Sequence, residues 1–597
     1  MCGITGIFHT DLTTRADAQL VRRMTAVLHH RGPDDAGDYV RGPVGLASRR
    51  LAIIDRTGGA QPLFNEDRSL VLVFNGEIYN FRDLRRRLES SGHRFTTRSD
   101  SEVIVHAYEQ FGTRCVEHLR GMFAFALWDE PRRSLFLARD RFGIKPLYYA
   151  WDGRTLHFAS EMKALLCDAA IDRRIDPTAL DDYFSFSFIP APKSIFRAIR
   201  KLRPAHTLQV SAAGLVEQPY WDVAFEPQDR DDADGAADLV EHLRESMRLH
   251  LVSDVPVGVL LSGGVDSSSI ASLAAEQSRE PIQSFSMGFD HPAYDERPYA
   301  RAVAERCATD AHVEVLPAAS VEDLDSLIWH FDEPFADSSM MPTYHIAALA
   351  RRYVKVCCAG DGGDEVFGGY RRFGRFLDQF AADPIAAQRD YLARRTWIDA
   401  AMKLSLYAPG LRADLGEYDC HAATRQLFDH AREWEPLARV QYVEMKTYLP
   451  GDLLTKVDRA SMAHGLEVRV PLLDHPLVEY AARLPARLHL RDGVSKALLK
   501  HVMRDRLPRA VLERPKMGFS MPIVHWLRGE LRGWFEQRVL TRDACIGEWI
   551  EPRVVRAWWE EHQRGERDLS RTLWALLVLE SWARRFLTGA PHDRDRA

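Results

Sequence analysis

The sequence predicts two fold classes in one chain: an N-terminal α+β part with layered antiparallel sheets, and a C-terminal α/β part with a doubly wound parallel sheet. Short β-rich stretches with tight turns fill the first part, strands and helices alternate in the next, and the C-terminal portion is mostly helical. The 597 residues are enough for two domains that each bury a core.

The first part shows strand patterns at 71–74, 122–128, 134–138, 147–150 and 155–159, with a hairpin turn at Asp152-Gly153. Helical patterns at 16–28 and 80–91 interrupt the strands. The polar, acidic segment 225–235 is the best linker candidate. We therefore predict a first domain at 2–205, a connecting segment at 206–236 and a second domain at 237–590.

The second part alternates predicted strands at 255–261, 283–289, 312–316 and 354–359 with predicted helices at 267–276, 299–307 and 345–353. This alternation indicates a parallel sheet. Amphipathic stretches at 553–563 and 573–587 belong to the helical C-terminal portion, and the tail 590–597 is expected to be disordered.

Composition excludes several classes of protein. Apolar residues make up 46%, charged residues 27%, and the net charge is −6, which gives no sign of a nucleic-acid partner. The start lacks the features of a signal peptide, and no apolar run reaches the ~20 residues of a membrane span. Eight cysteines show no paired metal spacing. We predict a reduced, cytoplasmic protein without a membrane partner.

Cys2 directly follows the initiator methionine. Removal of Met1 would give one residue both a thiol and a free α-amine, whose pKa lies near neutrality. The amine can then accept the thiol proton, as in N-terminal nucleophile enzymes. A cysteine at this position can also occur by chance. The catalytic interpretation of Cys2 therefore depends on motifs in the rest of the chain.

A glycine- and serine-rich loop follows the first strand of the second part, Leu261-Ser262-Gly263-Gly264-Val265-Asp266-Ser267-Ser268. Loops at the carboxyl ends of parallel strands bind ligands, and glycines that open a helix favour a phosphate. Asp266 would repel a bare phosphate, which implies a divalent cation. The alternative interpretation of this loop is a simple turn whose Asp or Ser side chain caps the following helix. The pattern differs from GxxxxGK[ST] and resembles the PP-loop of ATP pyrophosphatases.

A second loop combines glycines with acids, Gly360-Asp361-Gly362-Gly363-Asp364-Glu365-Val366-Phe367-Gly368-Gly369-Tyr370. Its glycines allow close ligand approach, and its carboxylates suit Mg²⁺ or proton handling. Further on, Lys496 could neutralise charge on a departing pyrophosphate, although a lysine at the start of a helix is more often a surface residue.

Together these motifs make the chain resemble the glutamine-hydrolysing asparagine synthetases, in which a class II glutamine amidotransferase is joined to an ATP-pyrophosphatase domain. The resemblance covers residues 2–585. It rests on the Cys2 start, the two loops, His30-Arg31-Gly32-Pro33-Asp34, Arg50-Leu51-Ala52-Ile53-Ile54-Asp55, Phe74-Asn75-Gly76-Glu77-Ile78-Tyr79-Asn80, Ser99-Asp100-Ser101-Glu102, Gly121-Met122-Phe123-Ala124-Phe125 and Arg139-Asp140-Arg141-Phe142-Gly143. It implies an Ntn-hydrolase sandwich followed by a PP-loop domain.

The resemblance also implies residue roles in the first domain. Cys2 would attack the glutamine carboxamide, Asn75 and Gly76 would form the oxyanion hole, and Arg50 would pair with the α-carboxylate. Glu77 and Asp100 would hold the α-amino group. The rest of the glutamine pocket would be Leu51, Ala52, Ile53 and Ile54.

In the second domain the resemblance implies ATP as substrate with Mg²⁺. Asp266 and Asp364 would bind the metal with pyrophosphate, and Lys496 would stabilise the adenylation transition state. The implied nucleotide contacts are Leu261, Ser262, Gly263, Gly264, Asp266, Ser267, Met287, Ala359 and Gly360. Relatives of this kind are often homodimers.

Asp361 departs from the family pattern, in which glutamate handles ammonia at the activated carboxyl. The shorter side chain keeps a carboxylate but moves it by about one methylene. The resemblance implies aspartate as the acceptor, and the Asp361 substitution keeps a different carboxylate in a specialised pathway as the alternative. A lactam-forming ligase and a non-catalytic binding protein fit less well, because both sites look complete.

Overall fold

A computed structural model describes residues 2–289, 291, 294–316, 323–515, 518 and 521–588. The predicted disordered tail, 590–597, lies outside the described residues.

Two antiparallel six-stranded sheets form the N-terminal part, which confirms the predicted layered sandwich. Strand order is β10-β8-β9-β1-β3-β2 in the first sheet and β12-β11-β7-β6-β5-β4 in the second. The strands are β1 (Cys2–His9), β2 (Asp35–Arg41), β3 (Val44–Arg50), β4 (Leu63–Phe64), β5 (Leu70–Ile78), β6 (Gly121–Asp129), β7 (Ser134–Arg139), β8 (Tyr148–Trp151), β9 (Thr155–Ala159), β10 (Ile199–Lys201), β11 (His206–Ser211) and β12 (Gly214–Pro219).

The two sheets pack face to face over an apolar core that includes Ile4, Phe8, Val71 and Leu135. Helices cover the outer faces: α1 (Ala18–Ala26), α4 (Met162–Leu165) and α5 (Pro177–Phe186) lie on the first sheet, and α2 (Phe81–Ser90) and α3 (Glu102–Phe111) on the second. Strand β5 is consequently buried along its whole length. This explains why its first five residues, Leu70–Phe74, form a continuous apolar run rather than an alternation.

The segment that we predict as a connection, 206–236, is largely regular structure. Strand β11 pairs with β7, and β12 pairs with β11, so both extend the second N-terminal sheet. Helix α6 (Asp232–His250) begins inside the predicted acidic linker, with Asp231 as its N-cap. Acidic residues there stabilise a helix N-terminus, a role that composition alone does not distinguish from a linker.

A parallel five-stranded sheet forms the centre of the second part, in the order β15-β14-β13-β16-β17. Its strands are β13 (Val257–Leu260), β14 (Gln283–Phe289), β15 (Asp310–Leu316), β16 (Val356–Cys358) and β17 (Glu467–Arg469). From β13 the chain adds β14 and β15 on one side, and then β16 and β17 on the other. The order therefore reverses between β13 and β16, which is the topological switch point where such sheets bind ligands.

Helices surround this sheet and fill the C-terminal portion, as predicted. They are α7 (Val265–Gln277), α8 (Arg297–Cys307), α9 (Leu324–Phe331), α10 (Met340–Arg351), α11 (Gly363–Phe367), α12 (Arg371–Phe380), α13 (Pro384–Arg395), α14 (Ala400–Leu406), α15 (Pro409–Leu415), α16 (Ala422–His430), α17 (Pro436–Lys446), α18 (Leu454–Met462), α19 (His475–Ala482), α20 (Ala486–His489), α21 (Ala497–Met503), α22 (Arg509–Glu513), α23 (Ile523–Arg528), α24 (Arg532–Arg538), α25 (Pro552–Arg564) and α26 (Ser570–Phe586). A two-stranded ribbon, β18 (Leu490–Arg491) and β19 (Val494–Ser495), precedes α21.

All eight cysteines fall within the described residues, and each has a free thiol. In the part of the chain that the structure describes, every helix is too short or too polar to cross a membrane.

Candidate active sites in the two domains

The first candidate site surrounds Cys2, the first residue of β1. Pairing with β3 places Cys2 opposite Arg50, and the cysteine is 4% exposed. Its backbone N–H donates to Asn75 Oδ1 at 3.0 Å, and Gln61 Nε2 donates to its sulfur at 3.6 Å. The nucleophile is thus held at a sheet terminus between two amide side chains.

The environment of the thiol opposes spontaneous ionisation. Burial raises the pKa of Cys2, and the nearby N-terminal charge and Arg50 reduce this rise without cancelling it. A buried thiol needs a base to become a thiolate at neutral pH. The α-amine that processing would expose on the same residue can provide that base.

Asn75 and Gly76 lie on β5 beside the cysteine. Asn75 Nδ2 is buried and has no hydrogen-bond partner among the described residues. A Cβ atom at Gly76 would lie 2.1 Å from the Met122 carbonyl oxygen, so only glycine fits there. An unpaired buried donor next to a nucleophile is the arrangement that an oxyanion hole requires.

The predicted glutamine pocket is built from the loop after β3. The Arg50 guanidinium donates to the carbonyls of Ile54, Asp55 and Arg56 at 3.1, 2.7 and 3.3 Å, which fixes it against the segment that carries Leu51, Ala52 and Ile53. Asp100 accepts the Ile78 N–H at 2.9 Å. The charges of Arg50 and Asp100 both act on the Cys2 thiol, so the structure brings these residues together.

Glu77 points towards the second domain instead. Its Oε2 accepts from Arg469 Nη2 at 3.1 Å, and Arg469 also donates to Glu467 at 2.6 Å. The other oxygen, Glu77 Oε1, is buried without a hydrogen-bond partner among the described residues. Glu77 therefore connects the two domains through Oε2, while its Oε1 can still accept a hydrogen bond.

The second candidate site lies at the switch point of the parallel sheet. The loop after β13 is closed by hydrogen bonds: the Ser262 N–H donates to Ser267 Oγ at 3.2 Å, and the two hydroxyls lie 3.0 Å apart. A Cβ atom at Gly360, just after β16, would lie 2.5 Å from the Ser267 nitrogen. Glycine thus allows the two loops to pack directly on each other.

Lys496 brings the two acidic positions together. Its ammonium pairs with Asp266 and lies 2.6 Å from Asp364 Oδ1. The backbone of Lys496 has a φ of 55°, an unusual left-handed conformation that points the side chain into the site from the start of α21. Gly369 makes room for it, because a Cβ atom there would lie 2.1 Å from Lys496 Cε.

These groups line a cavity of about 360 Å³. All predicted nucleotide and metal residues line it except Gly263, whose Cβ position would instead meet the Ala300 nitrogen of α8 at 2.5 Å. The predicted residues that do line it are Leu261, Ser262, Gly264, Asp266, Ser267, Met287, Ala359, Gly360, Asp361, Asp364 and Lys496.

Three further residues of this cavity carry chemistry that the sequence did not assign. Lys456 on α18 donates to Asp337 at 2.7 Å, and both line the cavity with Glu365. Burial, together with the charge of Asp364, raises the pKa of Glu365 to about 7. The count of acids in the second loop was the available signal for Glu365, whereas nothing in the sequence marks Asp337.

A buried charge network connects the two sites. Arg31 donates to the Cys2 carbonyl at 3.2 Å and to both carboxylate oxygens of Asp458 at 2.8 and 3.0 Å. Asp458 lies on α18, the helix that also carries Lys456 into the second cavity. One helix therefore contacts the surroundings of the candidate nucleophile and lines the candidate nucleotide cavity.

Comparison with known proteins identifies two family models that match different parts of the chain. The asparagine synthase family model matches residues 238–584, and the glutamine amidotransferase domain model matches residues 1–221. Asparagine synthetase [glutamine-hydrolyzing] 1 of Bacillus subtilis (strain 168) is 33% identical over 98% of this chain and 96% of its own length. A putative asparagine synthetase [glutamine-hydrolyzing] of Mycobacterium bovis is 35% identical over 95% of this chain and 93% of its own length. With a matching family model over more than half its length and relatives at this identity, the chain belongs to the asparagine synthase family.

Proposed function

We propose that the protein transfers the amide nitrogen of glutamine to the side-chain carboxylate of aspartate in an ATP-dependent reaction, giving asparagine, glutamate, AMP and pyrophosphate. The observation that carries the proposal is the pair of candidate sites connected by α18, which lines the second cavity with Lys456 and binds Arg31, the residue that donates to the Cys2 carbonyl, through Asp458. A glutaminase alone would not need the lysine and carboxylates at the switch point, and a ligase alone would not need Cys2 with an unpaired amide donor.

In the first half-reaction, the Cys2 thiolate attacks the glutamine carboxamide. The tetrahedral oxyanion accepts hydrogen bonds from Asn75 Nδ2 and the Gly76 N–H. Its collapse, in which the Cys2 α-ammonium returns the thiol proton to the leaving nitrogen, releases ammonia and leaves a glutamyl thioester, which water hydrolyses to glutamate. Arg50 would hold the α-carboxylate, and Asp100 with the available oxygen of Glu77 would hold the α-amino group.

In the second half-reaction, the acceptor carboxylate attacks the α-phosphorus of ATP, pyrophosphate leaves, and ammonia then displaces AMP from the acyl-adenylate. The Ser262–Ser267 loop would surround the phosphates at the start of α7. Lys496 would neutralise charge that develops on the departing pyrophosphate. Leu261, Met287, Ala359 and Gly360 would contact the rest of the nucleotide.

Asp266 and Asp364 fit a magnesium ion. Asp266 Oδ1 is buried without a hydrogen-bond partner among the described residues, and oxygen ligands from one or two carboxylates plus phosphate are what Mg²⁺ prefers. When bound, the ion would neutralise phosphate oxygens.

The cavity also suits an amino acid. The Lys456 ammonium lies near the carboxylates of Asp337 and Asp361, and this mixture of charges matches the α-carboxylate and α-ammonium groups of aspartate. Asp361 would take the place of the family glutamate in handling ammonia.

Ammonia must reach the adenylate without becoming ammonium in bulk water, so we propose a passage along α18. We also propose a cytoplasmic homodimer with a glutaminase domain at 2–205, a connection at 206–236 and a synthetase domain at 237–590. The first part of this connection, strands β11 and β12, pairs with the second N-terminal sheet and would therefore act as part of the glutaminase domain.

The test is pyrophosphate release by the full-length enzyme with glutamine and ATP, measured with and without aspartate. Strong stimulation by aspartate, with ¹⁵N from amide-labelled glutamine appearing in asparagine, is expected. No stimulation would exclude aspartate and leave another carboxylate as acceptor.

Two variants test the division of labour. Cys2→Ala should abolish glutamine-dependent synthesis and keep ammonia-dependent synthesis. Asp266→Ala should abolish both syntheses and spare glutamine hydrolysis. Equal loss of every activity in either variant would contradict two separate sites.

A further inference from the structure

Four potential metal ligands converge at the outer face of the second N-terminal sheet. They are Glu66 in the turn after β4, His93 in the segment after α2, and His106 and Glu109 on α3. His106 and Glu109 are three residues apart on one helix, so they share a face. One ligand atom from each of the four residues lies within 4.8 Å of all the others.

Both histidines present the same nitrogen to the centre of this cluster. His93 Nδ1 lies 3.9 Å from Glu66 Oε1 and 3.6 Å from Glu109 Oε2. His106 Nδ1 lies 3.5 Å from Glu66 Oε2 and 4.0 Å from Glu109 Oε2. Around an ion with bonds of 2.0–2.1 Å, tetrahedral ligands are separated by about 3.4 Å. These four distances exceed that separation by about 0.1–0.6 Å, and the remaining pairs lie within 4.8 Å, so side-chain shifts of up to about 1.4 Å would close the site.

Outer residues hold the opposite edge of each ring. His93 Nε2 lies 3.1 Å from Gln110 Oε1, and His106 Nε2 lies 3.7 Å from Glu102 Oε1. Glu102 is fixed in turn by Thr96 and Thr97, which donate to it through both backbone and hydroxyl groups. Metal-binding histidines commonly donate their second N–H to a carboxylate or carbonyl oxygen, which fixes the tautomer and orients the ring.

Besides the convergence of the four side chains, the ring nitrogens of His106 indicate independently that this cluster binds a ligand. The residue is fully buried, and neither ring nitrogen makes a hydrogen bond within the described residues. Burial of a polar group without a hydrogen-bond partner costs free energy, and a bound ion is one of the few arrangements that remove this cost in a native protein. Hydrophobic packing against Phe95, at 4.3 Å between ring centres, does not satisfy the nitrogens.

We propose that Glu66, His93, His106 and Glu109 form a binding site for one zinc ion. Two imidazole nitrogens and two carboxylate oxygens are a suitable tetrahedral set for Zn²⁺, whereas Mg²⁺ and Ca²⁺ prefer oxygen ligands alone. The ion would join the turn before β5, the α2–α3 connection and α3. Because the connection leads to Asp100 and β5 carries Asn75, the ion would stabilise the frame of the glutaminase site.

The experiment uses the full-length protein after treatment with EDTA. Zinc is added in the presence of excess MgCl₂ and CaCl₂, and bound metal is measured by mass spectrometry after desalting. Tight binding of one zinc per chain is expected, with a rise in Tm that grows with zinc concentration. In cobalt-substituted protein, the intense visible absorption of a four-coordinate ion is expected.

Glu109→Gln and His93→Gln are the test variants, because Glu109 is exposed and His93 lies at the surface edge of the cluster, so both proteins should fold. Each should bind zinc at least 10-fold more weakly and lose the cobalt spectrum and the zinc-dependent rise in Tm. His29→Gln, at an exposed histidine outside the cluster, is the matched control, and Cys2→Ala excludes zinc bound at the nucleophile. Both controls should retain full binding.

Zinc binding well below one per chain in the wild-type protein would overturn the proposal. So would binding that is unchanged in Glu109→Gln and His93→Gln, or lost in Cys2→Ala.

Discussion

Replacing Glu365 by glutamine should stabilise the protein at pH 8 and have a much smaller effect at pH 5. Glu365 is fully buried at the second site, where Tyr370 donates to one of its oxygens and the other has no hydrogen-bond partner among the described residues. Burial, with Asp364 nearby, raises the pKa of Glu365 from 4.5 to about 7. A neutral glutamine can keep the hydrogen bond from Tyr370 without the cost of a buried charge.

The magnitude follows from proton linkage. The folded protein holds the Glu365 proton up to about pH 7, whereas the unfolded chain releases it near pH 4.5. The free energy of unfolding of the wild type therefore falls as pH rises through this window, and the loss is complete above it. Integration gives a penalty of about 0.8 kcal/mol at pH 5 and about 3.3 kcal/mol at pH 8. The stability advantage of Glu365→Gln should grow by about 2.5 kcal/mol between these two pH values.

The assay compares wild type and Glu365→Gln by denaturation at several pH values, so that the titration of groups that do not interact with Glu365 cancels in the difference. Glu280→Gln, which removes an exposed carboxylate, is the matched control and should show no comparable pH-dependent advantage. A Glu365→Gln advantage that is equal at pH 5 and pH 8, or that falls with pH, would refute the reasoning.

Three further substitutions test other parts of the structure. Asn75→Ala should reduce kcat for glutamine hydrolysis by about 10²–10³-fold and spare ammonia-dependent synthesis, because it removes one oxyanion donor; a loss below 10-fold would contradict that role. Gly369→Ala should abolish ammonia-dependent synthesis and keep glutamine hydrolysis, because its Cβ would displace Lys496; full synthesis would show that the lysine position is not required. Asp458→Asn should destabilise the protein by up to about 3 kcal/mol, measured by chemical denaturation, because the buried Arg31 and Lys145 both lose this carboxylate and Arg31 keeps only Glu161; unchanged stability would mean that Glu161 alone neutralises the charge of Arg31.

Local sequence was sufficient to predict the features of the fold that depend on residues close together in the chain. The two loops of the second site each follow a strand directly, so their arrival at one sheet edge followed from the parallel topology. The position of Cys2 at a strand start beside Asn75 was implied by resemblance, since the two are far apart in sequence and meet only through the β1–β5 packing. The alternation Leu208-Gln209-Val210 would have revealed β11, but the acidic segment after it suggested a linker instead.

The contacts between the domains could not be predicted, because they join residues hundreds of positions apart. Arg469 appeared as one charge within an apolar stretch, and only the fold places it 3.1 Å from Glu77. The raised pKa of Glu365 likewise depends on burial by α11 and its neighbours rather than on its own sequence context. Burial and pairing are tertiary properties, and periodicity does not report on them.

The charged character of the domain interface has a mechanical consequence. Separation of the two domains would take Arg31 away from Asp458 and Arg469 away from Glu77. The arginines would keep Glu161 and Glu467, whereas the buried carboxylates of Asp458 and Glu77 would lose these arginines, at a cost on the order of a few kcal/mol for each pair. Arg469 also accepts the Ala359 N–H on its carbonyl at 2.9 Å, directly before Gly360 of the nucleotide loop. The residue that fixes the glutamine pocket against the second domain is therefore hydrogen-bonded to the loop that would bind ATP. Because ammonia must pass from one site to the other, fixed registration of the two domains is a requirement of the proposed reaction, and directional ion pairs supply it better than hydrophobic contact would.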